Sequence, residues 1–202
     1  MSRTSAFIAL DGVDGSGNTT HSKLLSEWIV KSFGFKVLLT KEPTTEPVGL
    51  LLRRYLTQES VPSATDALLF AADRIEHVEK IIKPAMAEGR VVISDRYLES
   101  SIAYQSSQGL PIEWLLSINK YAIKPSLNII LEIDPDKSLS RKPKLTDKFE
   151  DSTFLRKVRS AFLMRAKSEN YPVVSTSGPI EEAQERIRII VKSFLQRMIQ
   201  EK

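Results

Sequence analysis

Short apolar runs of strand type alternate with apolar residues at helical spacing along the whole chain. Runs at 5–10, 36–40, 90–94, 127–133 and 172–176 read as strands. Helical periodicity predicts helices over 21–30, 48–57, 64–87, 98–107, 112–122, 135–140, 151–169 and 180–199. The long helix over 64–87 is expected to be disturbed near Pro84, which lacks a backbone N–H, and to end at Gly89. The strand runs are almost continuously apolar rather than alternating, the signature of strands buried on both faces. With helices between them, the pattern predicts a three-layer α/β/α fold around a parallel sheet.

Ligands of such sheets sit beyond the carboxyl ends of the strands. Three polar clusters fall there, each just after an apolar run. They are residues 12–20, Lys41-Glu42-Pro43 and Asp95-Arg96-Tyr97. Their convergence on one edge carries more weight than any one of them.

The first cluster reads Gly12-Val13-Asp14-Gly15-Ser16-Gly17-Asn18-Thr19-Thr20. It matches the phosphate-binding pattern G-x-x-x-x-G-K-[ST] at Gly12, Gly17 and Thr19, with Asn18 in place of the lysine. Glycines let consecutive N–H groups turn inward around an anion, and the following helix adds its positive end. Thr19 is placed to hold magnesium, and a strand before and a helix after the loop give the context the motif requires. Asparagine donates hydrogen bonds but supplies no charge to a transferring phosphoryl group.

The other bulk properties narrow the class. The chain has 202 residues, enough for one sizeable core, with no repeat or long linker, so a single domain over 1–202 is expected. No apolar stretch approaches the roughly 20 residues of a membrane span, and no signal peptide is evident, which predicts a cytoplasmic protein. There is no cysteine, which excludes disulfides, thiolate metal sites and thiol nucleophiles. The net charge of +4 is local: residues 137–167 hold ten Lys/Arg against three Asp/Glu. The charged stretch over 141–150, with Arg141, Lys142, Lys144 and Lys148, is the candidate for a mobile lid over phosphates.

Asp95 at a strand end beside a phosphate loop is suited to a magnesium shell or to orienting the attacking oxygen, and Arg96 to forking onto phosphate. Phe70 and Arg74 are four apart on one helix face, where a ring and a guanidinium can stack on a base and read its edge; taken alone, a core Phe beside a solvent-facing Arg is the commoner arrangement. His21 and His77 are isolated, without metal-ligand spacing, and read as structural.

Together these residues resemble the thymidylate kinase family over nearly the whole chain. The stretches that carry the resemblance are residues 11–20, Thr40-Lys41-Glu42-Pro43, Leu68 to Arg74, Ser94 to Tyr97 with Ser100-Ser101-Ile102-Ala103-Tyr104-Gln105, and Asp147 to Glu150. The Asp-Arg-Tyr run with its Ser-Ser-x-Ala-Tyr-Gln sequel is the specific part. The resemblance implies a five-stranded parallel sheet, a homodimer, and transfer of the ATP γ-phosphoryl group to thymidine monophosphate with magnesium. Residues 12–20 would hold the ATP phosphates, and Thr19 and Asp95 would organise the metal directly or through water. The implied monophosphate site is Asp14, Glu42, Pro43, Arg53, Phe70, Arg74, Arg96, Ser101, Tyr104 and Gln105. Within it Phe70 stacks on the base, Arg74 bonds its edge, Pro43 lies near the thymine methyl, Asp14 faces the 3′-hydroxyl, Tyr104 crowds the 2′ position, and Arg53 and Arg96 hold the phosphate. The implied catalytic set is Asp95 and Arg96 with Arg141 and Lys148 from the lid, ahead of Lys142 and Lys144, as sources of the charge Asn18 lacks.

The sequence departs from the family pattern again at Lys41 and Lys148, where arginine is common. Because Asn18 replaces the lysine of the phosphate loop, a second reading is a catalytically weak or inactive nucleotide-binding paralogue. A third, a nucleic-acid-binding module using the basic stretch, ranks last because the aromatics lie mostly in apolar helical patterns.

Overall fold

The computed structural model describes residues 5–58, 61–140 and 152–200. The segment 141–150, where the sequence places a lid, lies outside the described residues, and with it Arg141, Lys142, Lys144 and Lys148.

Five parallel strands form one sheet in the order β2-β3-β1-β4-β5. They are β1 (Ala6–Gly12), β2 (Val37–Lys41), β3 (Val91–Asp95), β4 (Leu127–Glu132) and β5 (Val173–Ser175). Every residue of β1 and β3 is buried, which is why their sequences carry no polar alternation. Even-numbered residues of β1 face one layer and odd-numbered ones the other. Ala6, Ile8 and Leu10 pack with Val91, Ile93, Ile129 and Leu131 under α1 (Asn18–Phe33) and the C-terminal helix Ile180–Gln200, through Leu25, Ile29, Ile187, Val191 and Leu195. On the opposite face Phe7, Ala9 and Val92 meet Val78, Ile82, Ala85 and Tyr97. A third apolar group, on Val13, Ala103, Ile130, Leu155, Val158 and Phe162, joins β4 to α5 (Leu98–Ser107) and the helix Ser152–Glu169.

The element borders differ from the sequence expectation in three informative places. Helix α1 starts at Asn18 rather than 21, because Gly17, at φ 88°, turns the chain directly into the helix; Asn18, Thr19 and Thr20 are its first turn. The helix expected over 64–87 is three pieces, α3 (Ser63–His77), a π-helical turn Val78–Ile82 and α4 (Lys83–Ala87). The wider turn, in which the Lys83 N–H reaches back to the Val78 carbonyl, accommodates the coming Pro84 without breaking the rod. Strand β2 runs one residue further than expected and includes Lys41, paired in register with Asp95 of β3.

Helix α2 (Pro47–Leu56) closes on α3 through Gly49. A Cβ there would meet the carbonyl and hydroxyl of Thr44 and lie 2.7 Å from the Asp73 carboxylate. Asp73 in turn accepts the Thr44 N–H at 2.9 Å and the Thr44 hydroxyl. Gly49→Ala is expected to cost about 1–3 kcal/mol through overpacking. Chemical denaturation checks this; a change below about 0.5 kcal/mol would mean the contact yields freely.

Candidate active site

The chain leaves β1 toward β2 and β3 on one side and later returns to β4 and β5 on the other. The loop 12–17 leaves β1 at that reversal, the position where such sheets open a crevice. Gly15 and Gly17 both take positive φ, 79° and 88°, so the loop's N–H groups curve into a nest. The loop is fastened from several sides. Tyr104 accepts the Asp14 N–H at 2.9 Å, Ser138 donates its hydroxyl to the Asp14 carbonyl, and Arg96 Nη1 donates to the Gly12 carbonyl at 2.7 Å. Asn18 is buried, and its amide turns back to donate to the Gly12 carbonyl at 3.3 Å. The asparagine thus braces the nest from within.

A cavity of about 340 Å³ opens around the loop, lined by Asp14, Gly15, Gly17, Asn18, Thr19, Thr20, Lys41, Glu42, Asp95 and Arg96. The Thr19 hydroxyl donates to Asp95 Oδ2 at 2.5 Å. Two hard oxygen donors at a phosphate nest fit magnesium, which keeps several waters and shares phosphate oxygens. No cluster of three or more His, Cys, Asp or Glu that could hold a metal ion occurs among the described residues.

A second cavity of about 370 Å³ lies beside the first, within the usual size of roughly 300–1,000 Å³ for a small-molecule site. Asp14, Glu42, Pro43, Arg53, Leu56, Thr57, Phe70, Arg96, Ser100, Tyr104 and Gln105 line it. Asp14, Glu42 and Arg96 line both cavities and form the partition between them. Arg96 itself has φ 73°, a left-handed conformation uncommon for a residue other than glycine. It donates through Nη2 to Asp14 and through Nη1 to Ser100 at 3.2 Å, and lies over the Tyr104 ring, 5.7 Å from its centroid. Burial works against its charge, but Asp14, Tyr104 and Asp95 together raise its pKa, so the guanidinium stays charged. Burial likewise pushes the Tyr104 phenol up, with Asp14 adding to the effect, which keeps the hydroxyl protonated.

Gln105 is fully buried at the cavity wall, and neither its amide oxygen nor its nitrogen has a partner among the described residues. Buried amides are normally satisfied, so this one points to a ligand group as its complement. Arg53 donates through Nη2 to the carbonyls of Pro43 and Thr44, at 3.3 Å for the latter, leaving its other donors toward the cavity. The Glu42–Pro43 peptide is cis.

Eight of the ten residues expected in the monophosphate site line this cavity; Arg74 and Ser101 do not. Both are buried, and Arg74 Nη2 donates to Glu42 at 2.7 Å and to the Ser101 hydroxyl at 2.8 Å, with Nη1 on Asn119 at 2.5 Å. They stiffen the wall that Glu42 presents. His77 is buried behind the same wall: Nδ1 meets Glu42 at 3.0 Å and Nε2 meets Thr40 at 2.7 Å. Sequence reasoning missed Leu56, Thr57 and Ser100 on the cavity wall, and the role of Asp11. Asp11 Oδ1 accepts from the Tyr97 N–H, the Ser100 N–H and the Ser100 hydroxyl, tying the end of β1 to the turn that carries Arg96. Its burial raises its pKa despite those donors. A carboxylate inside an otherwise apolar run was the available signal.

A nest at a helix N-terminus, an oxygen pair for a metal and a second cavity across a guanidinium partition define a P-loop nucleotide-phosphate site. The comparisons with known proteins narrow the class. The model of the thymidylate kinase family matches residues 10–187. A probable thymidylate kinase of Pyrococcus horikoshii is 45% identical over 201 residues, covering 94% of this chain and 97% of that protein. Another from Pyrobaculum calidifontis is 43% identical over 189 residues, covering 92% and 95%. The crystal structure of thymidylate kinase from Ehrlichia chaffeensis superposes with a TM-score of 0.78 at 29% identity, covering 93% of this chain and 99% of that one. The chain belongs to the thymidylate kinase family, a family of nucleoside monophosphate kinases.

Proposed function

We propose that this protein transfers the γ-phosphoryl group of ATP to thymidine monophosphate, giving the diphosphate. The observation that carries the reading is the shared partition. Two cavities, one at a phosphate nest, meet across Asp14, Glu42 and Arg96, so two anionic substrates would lie with their phosphates facing one guanidinium. An oxygen of the acceptor phosphate attacks the γ-phosphorus and forms the new P–O bond. The bond from that phosphorus to the β–γ bridging oxygen breaks, and its electron pair leaves with ADP. The chemistry needs positioning and charge stabilisation, which this wall supplies. Thr19 and Asp95 would hold magnesium, which when bound neutralises phosphate charge. Phe70 offers its ring to the base, Arg53 and Arg96 their donors to the acceptor phosphate, Gln105 its free amide to the nucleotide, and Tyr104 the bulk that favours a deoxyribose. Arg74 and Ser101 act behind the wall through Glu42. The fold works as a single domain.

A homodimer is part of the proposal. Leu68, Ala72 and Ile75 form an exposed stripe at helical spacing on α3, beside exposed Leu116 of the helix Ile112–Ile118, and a self-complementary apolar face is what a two-fold interface requires. No helix among the described residues is long and apolar enough to cross a membrane. A reaction consuming ATP and making a nucleotide precursor belongs in the cytoplasm.

A coupled assay of ADP release across nucleoside monophosphates tests the activity: turnover is expected with thymidine monophosphate, and none with any deoxynucleoside monophosphate would sink the proposal. Gln105→Leu is a finer probe. Removing a buried amide without partners is expected to leave stability unchanged or higher, while the KM for the monophosphate rises about tenfold through the lost polar contact. An unchanged KM would remove Gln105 from the substrate site.

A further inference from the structure

The proposed reaction leaves one electrostatic question open within the described residues. The phosphate loop lacks its ammonium, and Asn18 is turned inward to the Gly12 carbonyl. Two cationic side chains line the loop cavity among those residues, Arg96 and Lys41. The charge of Arg96 is already matched by Asp14, and its Nη1 is held by Gly12 and Ser100. Lys41 is exposed and has no ion-pair partner among the described residues.

Its direction follows from the strand. Val37 packs in the layer under α1, and Leu38 packs in the opposite layer with Phe7 and Val92. Alternation then puts Lys41 on the α1 side, while Thr40 and Glu42 point the other way, where both contact His77. Asp95 is the register partner of Lys41 on the neighbouring strand, about 4.8 Å away by strand spacing. Val91 and Ile93 of that strand face α1, so Asp95 does too, and it meets Thr19 in the first turn of α1. Lys41 and the Thr19–Asp95 oxygen pair therefore stand side by side on one face at the mouth of the nest.

We propose that Lys41 supplies the ammonium absent from the loop, contacting the β- and γ-phosphate oxygens of the donor from the β2 edge. The assignment rests on the proposed kinase reading of the site. In the transfer step the charge growing on the β–γ bridging oxygen and on the γ-phosphoryl oxygens is met by an unpaired cation. With Asn18 in the loop and Lys41 where arginine is common, the ammonium at this site stands on the strand end beside a loop that has none. A lysine is suited to this as a compact point charge on a flexible stem.

The test is steady-state kinetics of Lys41→Met. The expected result is a fall in kcat of about 10²-fold, the scale for one lost charge-stabilising donor, with the thymidine monophosphate KM within about twofold of wild type. Its melting temperature should stay the same, because Lys41 has no partner to lose. Adding Asn18→Lys to Lys41→Met should recover at least about tenfold of the lost rate by restoring a cation at the same phosphates. A Lys41→Met enzyme as fast as wild type, one that melts earlier and loses monophosphate affinity in parallel, or one that Asn18→Lys leaves unrecovered, overturns the assignment. If the wild-type chain itself gives no turnover, the kinase reading fails, and Lys41 is judged separately by calorimetric titration with ATP and magnesium. About tenfold weaker binding to Lys41→Met supports the phosphate contact, and equal binding overturns it.

Discussion

Arg96→Ala is expected to lower kcat/KM for thymidine monophosphate by about 10³–10⁵-fold, the range associated with an arginine that stabilises phosphoryl transfer. Arg96 is the cation common to both cavities among the described residues. Its Nη2 pairs with Asp14, its Nη1 spans the Gly12 carbonyl and Ser100, and its plane covers Tyr104. The guanidinium therefore arrives at the reacting phosphates already oriented, which is where a preorganised charge has its largest effect. Removing it also takes from Asp14 the guanidinium it pairs with, beside two anionic substrates. Arg96→Lys keeps the charge but loses the planar fork, so it should recover little of the rate. A backbone control separates chemistry from folding. At φ 73° a side chain with a Cβ is strained, so Arg96→Gly should be more stable than Arg96→Ala by about 1 kcal/mol while equally inactive. Initial-rate kinetics and denaturant melts of the three variants measure this. An Arg96→Ala enzyme within tenfold of wild type would remove the residue from the transfer step.

Much of this arrangement was legible in the sequence because it is local. The strands announce themselves as uninterrupted apolar runs, since both of their faces are covered. The loop announces itself through glycines whose positive φ other residues resist. Lys41, Asp95 and Arg96 could be placed on one edge because each follows a strand, and in a parallel sheet all strand ends point the same way. What stayed hidden depends on distance along the chain. Nothing near Gln105 says that its amide is buried without a partner. Nothing near Arg74 says that Glu42, 32 residues away, and Asn119, 45 residues away, converge on it. The spacing of Phe70 and Arg74 correctly put them on one helix face, but Phe70 reaches the cavity while Arg74 is sunk one layer behind it. Helical periodicity fixes the face a residue takes; the depth at which that face meets its neighbours is set by packing from elsewhere. Asn18 shows the same limit in a turn: its identity signals a missing charge, while its fold back onto Gly12 comes from the helix starting three residues earlier than periodicity implied.

The convergence on Arg74 sets the largest stability effect. Arg74 is buried with its guanidinium spread over Glu42, Asn119, Ser101 and the Tyr97 carbonyl, joining α3, α5, the Ile112–Ile118 helix and the end of β2. Glu42 is equally buried, and its other oxygen is taken by His77. Arg74→Leu keeps much of the volume but strands the Glu42 carboxylate with one partner and takes the Arg74 donors from the Asn119 Oδ1 and the Ser101 hydroxyl. The expected cost is about 3–5 kcal/mol, the scale for breaking one side of a buried ion pair. For a chain of this size that is a fall of about 6–20 °C in melting temperature. Adding Glu42→Leu removes the stranded charge, so the double variant should be more stable than the sum of the two single losses by about 1 kcal/mol or more. The pair therefore acts less as a source of stability than as a constraint: once both charges are buried, each fixes where the other must be. That constraint carries to the substrate wall, because Glu42 lines both cavities and Pro43 follows it. Arg74→Leu should accordingly raise the monophosphate KM even at temperatures where the chain remains folded. Thermal melts beside kinetics on the same samples measure both effects, and a loss below about 1 kcal/mol would show that Glu42 finds another partner when Arg74 is gone.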